Sequence, residues 1–161
     1  MTQAIKWFYL LSLAVWIGSI IFFSFFVAPT VFKVLKPDDA ARLQRAMFPK
    51  YYLVGFICAG IGIVCVGLLL AERAFGKWPG VLSLLLLALM GATDFWLRQT
   101  VVPHMAEIRE QRAEALSAGQ QPSAEVEEEW KSLHRLSVQL NGAVLLGGLV
   151  LLFLVVFSRV V

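Results

Sequence analysis

The chain has 161 residues, 59% of them hydrophobic and 16% charged, with a net charge of +3 and a mean hydropathy of +0.76. A soluble domain of this length carries about a quarter charged residues, so the composition argues against a water-soluble fold, and the length leaves room for one domain. The basic balance does not point to nucleic acid, because Lys and Arg sit in short connections between apolar runs, where they set membrane orientation.

Residues 7–32 form the first apolar run, broken only by Ser12, Gly18, Ser19, Ser24, Pro29 and Thr30. The run is too long for the core of a signal peptide, and no small-x-small cleavage site follows a short core, so it reads as a retained spanning helix. Trp7 and Tyr9 belong at one interface, and Pro29 is placed to kink the far end. Lys33 to Lys50 reads as a connection containing a short interfacial helix. Pro37 and Asp38 start it, with Asp38 as N-cap, and Pro49 stops it. Its apolar Leu43, Ala46 and Met47 oppose Arg42 and Arg45, which suits a helix lying at the headgroups.

The second run, residues 51–70, carries Gly55, Cys58, Gly62 and Cys65 on one helical stripe. Small residues in such a stripe let backbones approach in lipid, where packing drives association. Cys58 and Cys65 are also metal candidates, although a soft-metal site wants more ligands nearby. They form neither a disulfide framework nor a CxxC motif. Residues 72–80 make a tight connection.

The third run, residues 81–102, holds the sharpest signal. After a stretch that is apolar except for Ser83, Asp94 and Arg98 stand one helical turn apart, still inside the run. A carboxylate at a bilayer centre costs roughly 2.5–3.5 kcal/mol and is by default a functional group with a partner. Arg98 is in i,i+4 relation and is the expected partner. Alternatively Arg98 snorkels at the membrane edge and merely neutralises Asp94. Beyond Pro103, which bends the helix rather than ending it, Met105 to Leu116 has the composition of an exposed helix. After a loop at residues 117–123, Glu125 and Glu127 to Glu129 favour a new helix start, which leads into a fourth span at 136–157. The expected fold is therefore all-α: an integral membrane four-helix bundle in one domain, 1–161. It has a short interfacial helix after span one, and helices three and four extend beyond the membrane as a hairpin at about residues 103–135.

Ten basic residues (Lys33, Lys36, Arg42, Arg45, Lys50, Arg98, Arg109, Arg112, Lys131 and Arg135) belong to the first and third connections and their flanks. Four (Lys6, Arg73, Lys77 and Arg159) belong to the other side. The positive-inside rule then puts loops one and three in the cytoplasm and both termini outside, in a bacterial inner membrane. With a rise of about 1.5 Å per residue and a core about 30 Å thick, Asp94, Ser19 and Cys58 fall about 10 Å below the cytoplasmic edge and Asn141 about 5 Å below it. His134, Ser137 and Asn141 share one face of the fourth helix. This combination of depth and phase predicts a cytoplasm-facing polar cavity lined by Asp94, Arg98, His134, Ser137, Asn141 and Ser19. In it the Asp94–Arg98 pair would set the charge and His134 the pH sensitivity. His104 is turned away from that face. His134, His104, Cys58 and Cys65 are the candidate metal ligands.

Met47-Phe48-Pro49-Lys50-Tyr51-Tyr52, Trp16-Ile17-Gly18, Trp96-Leu97 before Pro103, and His134-Arg135-Leu136-Ser137 followed by Asn141 resemble the pattern of the family around transmembrane protein 205. That family is a set of small four-helix membrane proteins in the copper-resistance-D-like group. The resemblance runs over nearly the whole chain and implies a membrane protein of unassigned activity, with metal resistance as an association. Asp94 and His104 do not map onto the pattern.

Three functional readings follow. In the first, the protein binds or moves a small solute, metal ion or metal complex, with transport requiring a homo-oligomer. In the second, it is a redox enzyme with haem or a metal ion on His134 and His104. In the third, it is structural. The lipid bilayer is the one partner common to all, nucleic acid is not expected, and the residues favour a non-enzyme.

Overall fold

The computed structural model describes residues 1–157. Arg159, one of the four basic residues of the less basic side, lies outside them. The described chain is four long helices with no strand: α1 Thr2–Val34, α2 Pro37–Ala71, α3 Lys77–Ser117 and α4 Ala124–Phe157, each long and apolar enough to cross a membrane. At 1.5 Å per residue, α3 is about 60 Å long, about twice the hydrocarbon thickness, so it projects well beyond the lipid. With α4 it forms the hairpin expected from its charged composition. This makes the chain an all-α integral membrane four-helix bundle.

Residues 37–71 form one uninterrupted helix. The predicted short helix and second span are therefore a single element, and Pro49 lies inside it rather than ending it. Pro49 has no N–H for the Arg45 carbonyl four residues back, yet the helix continues through it, as internal prolines are tolerated in membrane helices; Arg98 Nε donates to the Pro49 carbonyl itself at 3.1 Å. The start also differs from expectation. Lys36 is the N-cap, Pro37 opens the first turn, and Asp38 and Asp39 follow within it, where proline's fixed φ and the helix dipole both favour them. The hairpin turn is closed by a Schellman arrangement. Gly119, at φ 71°, lets its own N–H and that of Gln120 reach the carbonyls of Leu116 and Ala115. Ser123 then caps α4, its hydroxyl accepting from the Val126 N–H.

Around the bundle α1 packs on α2, α2 on α3, α3 on α4 and α4 on α1. The main apolar core joins Leu13 and Ile17 of α1, Val66 and Leu69 of α2, Leu87 of α3 and Leu151 of α4. The α2–α3 contact is closest because both faces carry small residues. A Cβ on Gly62 would meet Leu87 at 2.9 Å, and one on Gly91 would meet the Ala59 methyl at 2.8 Å. The predicted stripe of Gly55, Cys58, Gly62 and Cys65 is buried throughout, with both thiols free. α4 is the least buried helix, and its outer face, including Leu146, Phe153 and Val156, is left for lipid.

Candidate ligand cavity at the hairpin end

Two helices change register on the way to the hairpin. α1 contains a π-turn at Phe23–Val27 and α3 one at Leu97–Val101. Each begins six residues before a proline, Pro29 or Pro103. In each, the amide just before the proline bonds five residues back, Ala28 to the Phe23 carbonyl and Val102 to the Leu97 carbonyl. Proline cannot donate to the carbonyl four residues back and crowds it, so the widened turn accommodates the proline without ending the helix. Such turns recur at functional sites. These two lie on opposite walls of a cavity of about 250 Å³, to which they contribute Phe23, Ser24 and Val101.

The remaining wall is aromatic: Phe48, Tyr51 and Tyr52 of α2, Phe32 of α1, and Trp130 of α4. Phe23 stacks on Tyr51 with centroids 4.7 Å apart and leans on Phe48 at 5.3 Å. The exposed lining residues are Phe32 of α1 and His134 and Val138 of α4, so the mouth lies between those two helices. One group of polar side chains is already satisfied. The Tyr51 hydroxyl donates to Asn141 Oδ1, and Asn141 Nδ2 donates to Ser24 Oγ at 3.2 Å, tying α2, α4 and α1 together. Ser137 donates back to the His134 carbonyl within α4, and the His134 ring lies parallel to Trp130.

Two lining groups differ. Gln44 is 1% exposed, and both its amide nitrogen and its oxygen lack a hydrogen-bond partner. A buried polar group without a partner costs about 1–3 kcal/mol. Arg109 reaches the cavity from α3. Its Nη1 donates to the Ala41 carbonyl at 3.2 Å, and its guanidinium lies 4.9 Å from the centroid of the Trp130 ring. Among the described residues no carboxylate lies within 4 Å of it, whereas the flanking Arg45 and Arg112 are paired with Glu110 and Glu127 at 2.8 and 2.7 Å.

The six residues expected to share one cavity are divided. His134, Ser137 and Asn141 line it; Asp94, Arg98 and Ser19 do not. Asp94, 3% exposed, accepts a 3.1 Å bond from Trp16 Nε1 of α1. This contact spans the bundle beside Gly55 of α2, where any Cβ would overlap the carboxylate and the indole nitrogen. Arg98 does not pair with Asp94. Asp94 is bonded to Trp16 instead, and the Arg98 guanidinium goes to the Pro49 carbonyl. Ser19 donates to the Trp16 carbonyl of its own helix.

The metal candidates are dispersed. Cys58 and Cys65 are in the core. His104 lies in the hairpin with Nδ1 facing Glu107 at 3.4 Å and Nε2 facing Glu129 at 2.8 Å, so neither ring nitrogen is free for an iron. Among the described residues no three His, Cys, Asp or Glu side chains gather as a metal site would require.

The sequence reading missed Gln44, Tyr51, Tyr52, Ser24, Arg109 and Trp130. A signal for Gln44 was present. The buried positions Ala40, Gln44, Tyr52, Gly55 and Ala59 follow helical spacing straight through Pro49, and treating that proline as a stop cut the pattern in two.

The class this defines is a four-helix integral membrane protein whose helices close tightly at one end and enclose an aromatic, partly polar cavity at the other. The chain belongs to the family described as Domain of unknown function (DUF4149), which matches residues 11–114. That stretch includes Gln44, Tyr51, Tyr52 and Arg109 but not α4. An uncharacterized protein of Aquifex aeolicus (strain VF5) is 44% identical over 84 residues, which is 50% of this chain and 57% of the relative. The chain thus spans little more than half the length of that relative. No solved structure matches it.

Proposed function

We propose that the protein is a membrane binding module for a small organic molecule, held in the cavity between the two π-turns. The observation that carries this reading is Gln44, a buried amide with neither atom bonded on the wall of a cavity large enough for a ligand. A side chain serving only to hold the helices together would spend its hydrogen bonds on the protein, as Tyr51, Asn141 and Ser24 do. The resemblance to the transmembrane protein 205 and copper-resistance-D-like group supports a site here, because its Phe-Pro-x-Tyr and His-x-x-Ser elements supply Phe48, Tyr51, His134 and Ser137 to the lining. The dispersion of His and Cys favours an organic ligand over a bare metal ion.

The ten-to-four distribution of Lys and Arg supports a cytoplasmic hairpin, so that the cavity lies at the cytoplasmic end. Cysteines introduced at Gln120 and Gly76 report this by sided labelling. Gln120→Cys is expected to react only from the cytoplasm, and reaction of Gly76→Cys from that side alone would reverse the assignment.

The binding test is Gln44→Leu in phosphatidylcholine nanodiscs. Removing an unpaired amide is expected to stabilise the ligand-free protein by about 1–3 kcal/mol. The same change is expected to weaken thermal stabilisation by any compound that raises the wild-type Tm. A panel of metal ions, haem, organic cations and organic anions supplies the compounds. If Gln44→Leu lowers the ligand-free Tm and no compound stabilises wild type, the cavity is structural.

A further inference from the structure

We infer, resting on the binding reading above, that the occupant is an anionic single-chain amphiphile. Its acid head lies on Arg109 and Gln44, and its aliphatic chain runs past Phe23, Phe48 and Tyr51 to the mouth between α1 and α4. The charge follows from Arg109. A half-buried guanidinium flanked by two other arginines, both already taken by glutamates, is left without a carboxylate of its own among the described residues. Desolvated charge calls for a paired and hydrogen-bonded opposite charge. Arg109 has donors to spare, since one bond goes to Ala41 and guanidinium carries five N–H groups in a fixed fork suited to carboxylate or phosphate.

Gln44 sharpens the choice of head. Its Nε2 donates to an acid oxygen, and its Oε1 accepts from an O–H. A singly protonated phosphate monoester offers both an acceptor and a donor, whereas a carboxylate offers acceptors only. The chain follows from the walls. Apart from the Tyr51–Asn141–Ser24 set, already bonded to one another, and His134 and Ser137 on α4, the cavity below the head is aromatic and aliphatic. Its volume of about 250 Å³ exceeds the roughly 150 Å³ that takes a benzene ring, yet falls short of the 300–1,000 Å³ or so of a drug-sized pocket. It therefore holds a head and the first part of a chain. The rest leaves between Phe32 and Val138, both more than half exposed, on the flank where the bundle meets lipid.

The experiment measures Tm shifts in phosphatidylcholine nanodiscs with four probes: dodecyl phosphate, dodecanoate, dodecanol and inorganic phosphate. Dodecyl phosphate is expected to stabilise wild type most and dodecanoate less, with dodecanol and inorganic phosphate inert. Arg109→Gln should weaken dodecyl phosphate binding at least tenfold and Arg109→Lys restore part of it, while Lys33→Gln leaves it unchanged. Gln44→Leu should bring the phosphate and carboxylate probes to the same affinity. Equal stabilisation by dodecanol, or no loss in Arg109→Gln, overturns the acidic head while leaving a binding cavity in place. Stabilisation by inorganic phosphate alone overturns the chain. If none of the four probes acts but another compound stabilises wild type and not Gln44→Leu, this inference fails and the binding reading survives. If nothing binds at all, both fail together.

Discussion

At the end of the bundle that holds the N-terminus, glycine and alanine faces let α2 and α3 close on each other, and the core there draws on all four helices. At the hairpin end the same helices open around a cavity, and the buried apolar cluster beside it is reduced to Tyr52, Leu97 and Val101. The difference lies in the backbone. The tight half is regular α-helix with small residues at the contacts. The open half begins where α1 and α3 pass through π-turns and aromatic side chains replace glycine. Hydrogen bonding divides in the same way: at the hairpin end ion pairs such as Arg112–Glu127 hold the helices outside the lipid. A rigid half that fixes helix positions and a looser half that encloses a cavity is the arrangement expected of a site, since binding regions are drawn from the less stable parts of a fold.

Gly55 sits at the boundary, and breaking it should erase the distinction. A side chain there overlaps the Asp94 carboxylate and the Trp16 indole nitrogen. Gly55→Val is expected to cost about 3 kcal/mol or more, by overpacking together with loss of the buried hydrogen bond, and to lower the yield of folded protein. Thermal unfolding of the purified variant against wild type checks this. A Tm within a degree of wild type would mean that α2 and α3 are not held as closely as the structure shows.

The Trp16–Asp94 bond sharpens the comparison further. Trp16→Phe removes the donor and leaves the carboxylate buried without it, at an expected cost of about 1–3 kcal/mol. Asp94→Asn retains an acceptor for the indole and should cost less than Trp16→Phe. Chemical denaturation of the two variants side by side reads the order. Were Asp94→Asn the more damaging, Asp94 would be bound to something other than Trp16, and Arg98 would be the first partner to test by double-mutant cycle.

The spans, the hairpin and the small-residue stripe were legible because each is a matter of composition and period, which a single helix expresses by itself. The cavity was legible only in its α4 share, His134, Ser137 and Asn141, where polar residues fall on one face of an unbroken helix. Arg98 was misassigned for a physical reason: an i,i+4 argument weighs only partners on one helix, whereas Trp16 of α1 takes the Asp94 carboxylate and Pro49 of α2 takes the guanidinium. Gln44 was missed because reading Pro49 as a stop cut the spacing of its helix in two, and Arg109 because it owes its role to other helices. Nothing local to Arg109 says that its neighbours' charges are matched while its own is not.

The smallest expected effect lies wholly in the hairpin. His104 is exposed and faces two glutamates, and its pKa is raised by hydrogen bonding first to Glu129 and then to Glu107. A raised folded-state value means that the protonated ring favours the closed hairpin. That contribution is complete below the ordinary histidine value of about 6.5 and is lost as pH rises through the higher folded value. Hydrogen exchange of the 103–131 amides, corrected for the intrinsic pH dependence, should therefore show more protection at about pH 6 than at about pH 8.5. His104→Gln should flatten that difference without changing protection in the core around Leu13, Val66 and Leu87. The pairs Arg112–Glu127 and Arg45–Glu110 also tie this region together, so the histidine's share is a modest increment on theirs. Protection that rose with pH in wild type would reverse the sign and show that the protonated ring does not favour the closed hairpin.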